Sequence, residues 1–284
     1  MRWLAALGIA ACVLRAAGAL ALPLMVGEAR AALPPQFVLA AYGHFTAGGL
    51  VAIRLSDDVR LEVDGEAVPS HRGMAVFGYD RDRSGMTQLR FIGRRGKSAE
   101  RKIPLAARQY DVQRIDGIAP RFVEPPPEAL PRIRAEARRK AAARRAQLAF
   151  WPRQFVWPLE GRVTGTYGSQ RFYNGVARRP HYGIDIAAPA NTDVRASADG
   201  QVVLAEDDMY FEGGLVFLHH GLDVVSAYLH LGRIDVQRGD WVKRGQVIGG
   251  VGSGGRSTGA HLDWRVFWRK AHIDPALLVR APLR

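Results

Sequence analysis

Cysteine is almost missing from this chain: Cys12 is the single one in 284 residues, and it lies inside an N-terminal apolar run. Its absence elsewhere excludes structural disulfides and cysteine-ligated metal, so any metal site must draw on histidine and carboxylate. Acidic residues are also scarce, 27 Asp+Glu against 40 Lys+Arg, for a net charge of +13. Such a surface favours anionic partners. No nucleic-acid module accompanies the charge, so an anionic envelope polymer is expected rather than DNA or RNA. An uninterrupted membrane-spanning run is lacking too. The apolar stretch from Trp3 to Leu14 is broken by Arg15 before a second run reaches Val26, and an arginine at mid-span costs about 2.5–3.5 kcal/mol. Residues 1–21 therefore read as a cleaved export signal. Ala19-Leu20-Ala21 and Ala29-Arg30-Ala31 both offer small-x-small cleavage sites, the second placing the cut as late as residue 31. A periplasmic or secreted location follows, with an uncleaved inner-membrane anchor as the alternative.

What the chain does contain suggests about two domains and enough apolar residues for real cores. Residues 33–124 read as a small all-β unit: Leu50 to Leu55, Arg60 to Val63, Met74 to Tyr79 and Leu89 to Ile92 are strand-like and partly alternating, separated by Asp- and Gly-containing turns. Nothing in this unit looks catalytic, and His44 and His71 stand alone. Glu124-Pro125-Pro126-Pro127 closes it as a stiff connector. Glu128 to Leu148 then carries seven basic residues among strong helix formers, with a thin apolar stripe of Leu130, Ile133, Ala137, Ala141 and Leu148. We expect a solvated helix packing one small-residue face. The alternative is an anion-facing helix holding the protein loosely near a membrane or charged envelope surface. With the connector it fills residues 125–152. From 153 to 284 the chain is glycine-punctuated and β-rich, its clearest strands being Gly200 to Leu204, Leu215 to Leu218, Val224 to Leu229 and Gln246 to Gly249. The fold class is mainly β: a small N-terminal β domain, a connecting basic helix, and a C-terminal antiparallel sheet domain with long loops.

The chemistry concentrates in that last part. In Arg179-Pro180-His181-Tyr182-Gly183-Ile184-Asp185-Ile186-Ala187-Ala188-Pro189 an imidazole and a carboxylate stand four residues apart. On a straight strand they would lie roughly 13 Å apart, too far to share an ion. The chain must bend between them, and Gly183 is the residue expected to permit it. Tyr228-Leu229-His230-Leu231 ends a predicted strand. His261 and Asp263, two residues apart after a glycine- and serine-rich loop, project from one face of another. Three histidines and two carboxylates suffice to bind Zn²⁺ through three ligands with a fourth position left for water. The two remaining imidazoles could then serve as general base and as stabiliser of a tetrahedral oxyanion.

These segments occur in order and resemble the three signature motifs of the lysostaphin-type (LytM-like) zinc endopeptidases, which cut peptidoglycan cross-links. The resemblance covers roughly residues 155–277. It implies His181 and Asp185 as the first two zinc ligands, and His230 and His261 as the non-ligand histidines serving water and oxyanion. The family's third motif normally reads His-x-His, its second histidine being the third ligand, whereas this chain has Asp263 there. Asp263 can still reach a metal, though a two-carboxylate site is formally neutral and a weaker Lewis acid. The resemblance thus implies an exported zinc endopeptidase acting on peptidoglycan. The rival is a catalytically silent peptidoglycan-binding module that regulates another wall hydrolase. Gly250 to Gly255 fits a dinucleotide glycine pattern, but no helix pattern follows it, so nucleotide binding is rejected. His219, His220 and His272, the last in a C-terminal tail, are expected to be structural or solvated.

Overall fold

The computed structural model describes residues 33–152 and 154–279; the expected export signal lies outside them. Among the described residues no helix is long and apolar enough to cross a membrane. The protein is mainly β, and its sheets are built almost wholly from antiparallel pairs.

Eight strands fill the N-terminal region: β1 (Val38–Gly43), β2 (Leu50–Leu55), β3 (Arg60–Val63), β4 (Glu66–Val68), β5 (Ser70–His71), β6 (Met74–Gly78), β7 (Met86–Ile92) and β8 (Ser98–Pro104). They form two four-stranded sheets, ordered β1-β2-β6-β5 and β4-β3-β7-β8. The second sheet has one wet face, and β7 shows it plainly: Thr87, Leu89 and Phe91 point in while Met86, Gln88 and Arg90 point out. The two central strands of the first sheet, β2 and β6, are buried on both faces. Val51, Ile53, Ala75 and Phe77 pack against Leu61, Leu89 and Phe91 of the second sheet. Leu50, Ala52, Met74 and Val76 face the other way into the core of the C-terminal half. Two-sided burial requires continuous apolar sequence rather than alternation, which is why Leu50-Val51-Ala52-Ile53 and Met74-Ala75-Val76-Phe77 alternate so weakly.

The chain then crosses over. β9 (Val112–Ile115) pairs in parallel with a strand of the C-terminal half, and two helices follow, α1 (Pro120–Val123) and α2 (Leu130–Ala143). α2 stops five residues short of Leu148, where the apolar stripe had carried it. The Leu148 carbonyl instead accepts a hydrogen bond from Leu222 N at 3.2 Å. The packing face differs from the expected stripe: Leu130 and Ala137 are exposed, while Ala143 and, just beyond the helix, Ala146 lie against a cluster containing Val203, Leu204 and Phe267. Glu136 is buried on this face and accepts from Arg132 Nε at 2.7 Å and Tyr210 N at 3.0 Å.

The C-terminal half holds β10 (Arg162–Gly165), β11 (Gln170–Tyr173), β12 (Val176–Ala177), β13 (Gly183–Ala187), β14 (Asp193–Arg195), β15 (Gly200–Met209), β16 (Gly213–His219), β17 (Val224–Ile234), β18 (Trp241–Val242), β19 (Val247–Val251), β20 (His261–Trp268) and β21 (Ala271–Ile273). Ten of them make one sheet, with the path β10-β13-β20-β17-β16-β15-β18; β21 pairs with β20, and β19 joins β14 to β17. β11 stands outside it in a three-stranded sheet with β12 and β9. In the large sheet's centre, Asp185 of β13 pairs with Asp263 of β20, and Asp263 with Leu229 of β17. That register brings the three sequence motifs side by side.

Candidate active site

His181 lies just before β13, where its N–H donates to Ser169 O at 2.8 Å and its carbonyl accepts from Gly168 N at 2.7 Å. The strand begins two residues later, so only Asp185 is on it. Gly183 has another task than the expected bend. It sits in the strand opposite Arg265, and a Cβ on it would lie 2.5 Å from Asp263 Oδ1 and 2.6 Å from Arg265 Cγ. Glycine is needed because two polar side chains cross over its backbone.

His181 Nε2 stands 3.2 Å from Asp185 Oδ1. One ligand atom from each of His181, Asp185 and Asp263 fits within 4.8 Å of the others. All three residues are buried, at 2%, 7% and 1% exposure, yet both ring nitrogens of His181 and Oδ1 of Asp185 have no hydrogen-bond partner. Buried polar atoms are nearly always paired, so His181 Nε2 and Asp185 Oδ1, facing each other without a partner, mark a place where a ligand belongs. Two donors each about 2.0–2.1 Å from a tetrahedral ion stand about 3.3 Å apart, which the His181–Asp185 separation matches. The donor set of one imidazole and two carboxylates fits a divalent cation such as zinc.

The two other histidines flank the cluster, their ring centroids 4.7 Å apart. His230 does not end its strand. β17 continues to Ile234, and His230 occupies a bulge at φ +64 where Leu229 and Leu231 pair with Leu215 and Gly214 and leave it unopposed. The bulge re-aims a side chain that strict alternation would place differently. Its Nδ1 is 2.8 Å from Gly254 O, and a carbonyl can only accept, so Nδ1 carries the proton and Nε2 holds the lone pair. Burial lowers its pKa to about 4, which keeps the ring neutral near pH 7. His261 Nδ1 is held in the same way on Gly259 O at 2.8 Å, and its Nε2 stands 3.9 Å from Asp185 Oδ1. Both rings therefore present a proton-accepting nitrogen.

Two arginines complete the arrangement, and neither was singled out from the sequence. Arg171 Nη2 donates to Asp185 Oδ2, while Nη1 reaches Tyr173 Oη at 3.3 Å. Arg265 embraces Asp263: Nε lies 3.0 Å from Oδ1, and Nη2 lies 2.5 Å from Oδ2. Burial opposes charge on both carboxylates, but their neighbours win. His181 and Arg171 hold Asp185 well below the usual range, and Arg265 with His181 holds Asp263 at about 2. Arg265 lies two residues after Asp263 and so on its face of the strand. An arginine at that spacing from a buried carboxylate is a signal that could have found it.

A cleft of about 620 Å³ opens over His181, His230, Asp263, Arg171 and Arg265. Two parts of its rim were not anticipated. Phe122 and Val123 of α1 line it, so the stretch before the connector borders the site; Phe122 packs edge-on to Tyr210 at 5.4 Å. His272 lies on β21 rather than in a loose tail and also lines the cleft, stacked on Tyr182 at 4.0 Å with Nδ1 3.4 Å from Asp80 Oδ1. His219 and His220 stay away from the cleft, both fully buried. His220 joins Asp199 O, Ser226 Oγ, Tyr228 Oη and Ser197 Oγ in a chain of hydrogen bonds of 2.7–3.0 Å.

Comparison with known proteins bears on this half above all. A family model described as peptidase family M23 matches residues 179–275. The peptidoglycan DD-endopeptidase ShyA of Vibrio cholerae is 38% identical over 114 residues, 40% of this chain and 26% of that protein. The DD-carboxypeptidase/endopeptidase Mpg of Neisseria meningitidis is 46% identical over 97 residues, 34% of this chain and 22% of its own length. The chain thus spans about a quarter of the length of the curated relatives it matches. A Pseudomonas aeruginosa protein crystallised as a candidate M23 peptidase superposes with a TM-score of 0.64 at 29% identity, over 84% of this chain and 96% of its own. That overlay is too long for the C-terminal half alone, so the likeness of fold reaches into the N-terminal half.

Proposed function

We propose, from the premise that residues 179–275 are a domain of peptidase family M23, that the protein is an exported, zinc-dependent endopeptidase hydrolysing peptide cross-links of peptidoglycan. The observation that carries this is the pair of buried, unpartnered atoms facing each other, His181 Nε2 and Asp185 Oδ1, where His181 lines an open cleft. His181, Asp185 and Asp263 would hold the metal; Asp263 has lone pairs left beyond those Arg265 engages. Zinc, when bound, supplies a Lewis acid that polarises the scissile carbonyl and brings the pKa of its water toward 7. His230, neutral and oriented by Gly254, takes a proton through Nε2. His261, oriented by Gly259, donates to the developing oxyanion once its own Nε2 is protonated. Arg171 and Arg265 hold the two carboxylates charged and in place. The cationic surface suits a wall rich in acidic groups, and export rests on the N-terminal apolar run. Exposed arginines of α2 would add a loose attraction to an anionic envelope surface.

A second reading has an observation of its own. The two carboxylates of the cluster already face two guanidiniums, so charge is balanced without a cation. That favours a silent module which binds wall peptide and regulates another hydrolase. Metal analysis of the purified protein beside a wall-digestion assay separates the two. The peptidase reading expects about one zinc per chain and release of cross-linked peptides that stops on chelation. Protein with neither metal nor digestion establishes the binding module instead. Asp263→Ala should lose most of the metal, and if it keeps both metal and activity Asp263 is not a ligand.

A further inference from the structure

Arg171 and Arg265 are accounted for by the carboxylates they hold, but the cleft contains two further guanidiniums that no carboxylate among the described residues holds. Arg178 and Arg256 both line it. Nε and Nη2 of Arg178 are buried from solvent and have no hydrogen-bond partner. Arg256 lies over the rings of Tyr173 and Phe211, 5.0 and 4.9 Å from their centroids, with no carboxylate at ion-pair distance among the described residues. Asp263 is taken by Arg265, and Glu212, which lines the cleft, gives Oε1 to Lys140 while its buried Oε2 has no partner. Burial, then repulsion from Arg265 and Arg171, pushes the Arg256 guanidinium below its ordinary pKa. A fixed cation in that condition is relieved by an anion and by little else.

The placement of Arg256 is built into the backbone. The loop leaving β19 runs against the turn between β15 and β16, where a Cβ on Gly255 (φ +71) would lie 2.4 Å from Phe211 O and one on Gly213 (φ +62) 2.6 Å from Gly254 C. Arg256 N donates to Phe211 O at 2.9 Å. Tyr173, under the guanidinium, is itself fixed by Arg171, which also grips Asp185. The cationic fork is thereby mechanically tied to the candidate metal ligand.

We propose that Arg178 and Arg256 form a receiving subsite for a carboxylate of the bound peptide. The cleft then selects peptides with a free or side-chain carboxylate beside the scissile bond over neutral ones. This rests on the peptide-hydrolase reading above and names its substrate class. A guanidinium fork matches a planar carboxylate with two parallel hydrogen bonds, which is the strong form of the interaction.

The test is calorimetric binding of D-alanyl-D-alanine, as the free acid and as the C-terminal amide, to the mature chain and to Arg178→Gln and Arg256→Gln. The free acid should bind the wild type roughly ten- to hundred-fold more tightly than the amide, the discrimination of a charge-assisted pair. Each substitution should erase most of that ratio while leaving amide affinity and Tm near wild type, because neither arginine braces a carboxylate of the protein. Equal affinity for acid and amide, no saturable binding of the acid in the millimolar range, or an unchanged ratio in both variants overturns the subsite. Inorganic phosphate matching the free acid in affinity overturns it too, as the mark of a general anion site. Binding needs no turnover, so wall digestion assayed in parallel keeps the outcomes apart. Acid preference without digestion removes the peptidase reading and keeps the subsite. Digestion without preference does the reverse.

Discussion

Strand β17 runs through two buried polar clusters, each with a histidine, and they differ in how completely they close. Near its start, His220, Ser226, Tyr228 and Ser197 satisfy one another and Asp199 O, and both nitrogens of His220 are used. Further along, around His230, the neighbouring strands bring His181, Asp185 and Asp263 together with three buried atoms left unpaired. Both clusters hold buried histidine, and the sheet is the same. A closed polar network fixes one packing arrangement, whereas an open one stores binding capacity at the expense of stability. Residue type therefore says little about which histidine acts; the count of unmet hydrogen bonds says more.

The contrast breaks most sharply at the open cluster. His181→Ala or Asp185→Ala should strip the metal and take wall digestion to background, checked by metal analysis and release of muropeptides. His230→Ala and His261→Ala should each lower turnover by about 10²–10⁴-fold with metal content near wild type; loss of metal from the His261 variant would exchange the roles given to His261 and Asp263. Next comes Arg265→Met. It strands the buried Asp263 carboxylate and should cost about 3–5 kcal/mol in denaturant unfolding, while Asp263→Asn in the same background should recover part of it.

The closed cluster should respond in stability alone. Ser226→Ala leaves His220 Nε2 without its partner and should cost about 1–3 kcal/mol, with turnover per folded molecule unchanged. A further effect is one of pH. Burial, the dominant cause, lowers His220 from 6.5 to about 4, so between those values the unfolded chain binds the proton and the folded one does not. Its contribution is whole above pH 6.5 and falls as pH drops toward 4, by up to about 1.4 kcal/mol per unit. His220→Gln should flatten that part of the stability profile. An unaltered slope would mean that His220 is charged in the fold.

Much of this was legible in the residues, and the illegible part has a common cause. The strands around Leu50, Met74 and Leu89 and the ordered motifs at His181, His230 and His261 could be read because short-range pattern carries them. The bulge at His230 could not, since it depends on β16 supplying one residue too few opposite β17. Nor could the purpose of Gly183, which is set by Asp263 and Arg265 eighty residues away in sequence. Arg171, Arg178 and Arg256 look like ordinary surface charge in a basic chain; only the fold shows them turned into one cleft. α2 was read too long because its stripe was counted on to Leu148, a residue whose carbonyl is claimed by the turn before β17.

The doubly buried strands of the N-terminal half have a practical corollary for anyone handling the protein. Leu50, Ala52, Met74 and Val76 belong to the same core as Ile184, Ile186 and Val216, and Gly78 has no Cβ because Ile273 and Trp268 occupy its place. The proline connector invites a cut at residue 124, but scissors there pass between two walls of one room. Each fragment would carry a bare apolar face, and the C-terminal fragment made alone should aggregate or recruit detergent. The C-terminal half is best regarded as a lodger whose back wall belongs to its neighbour.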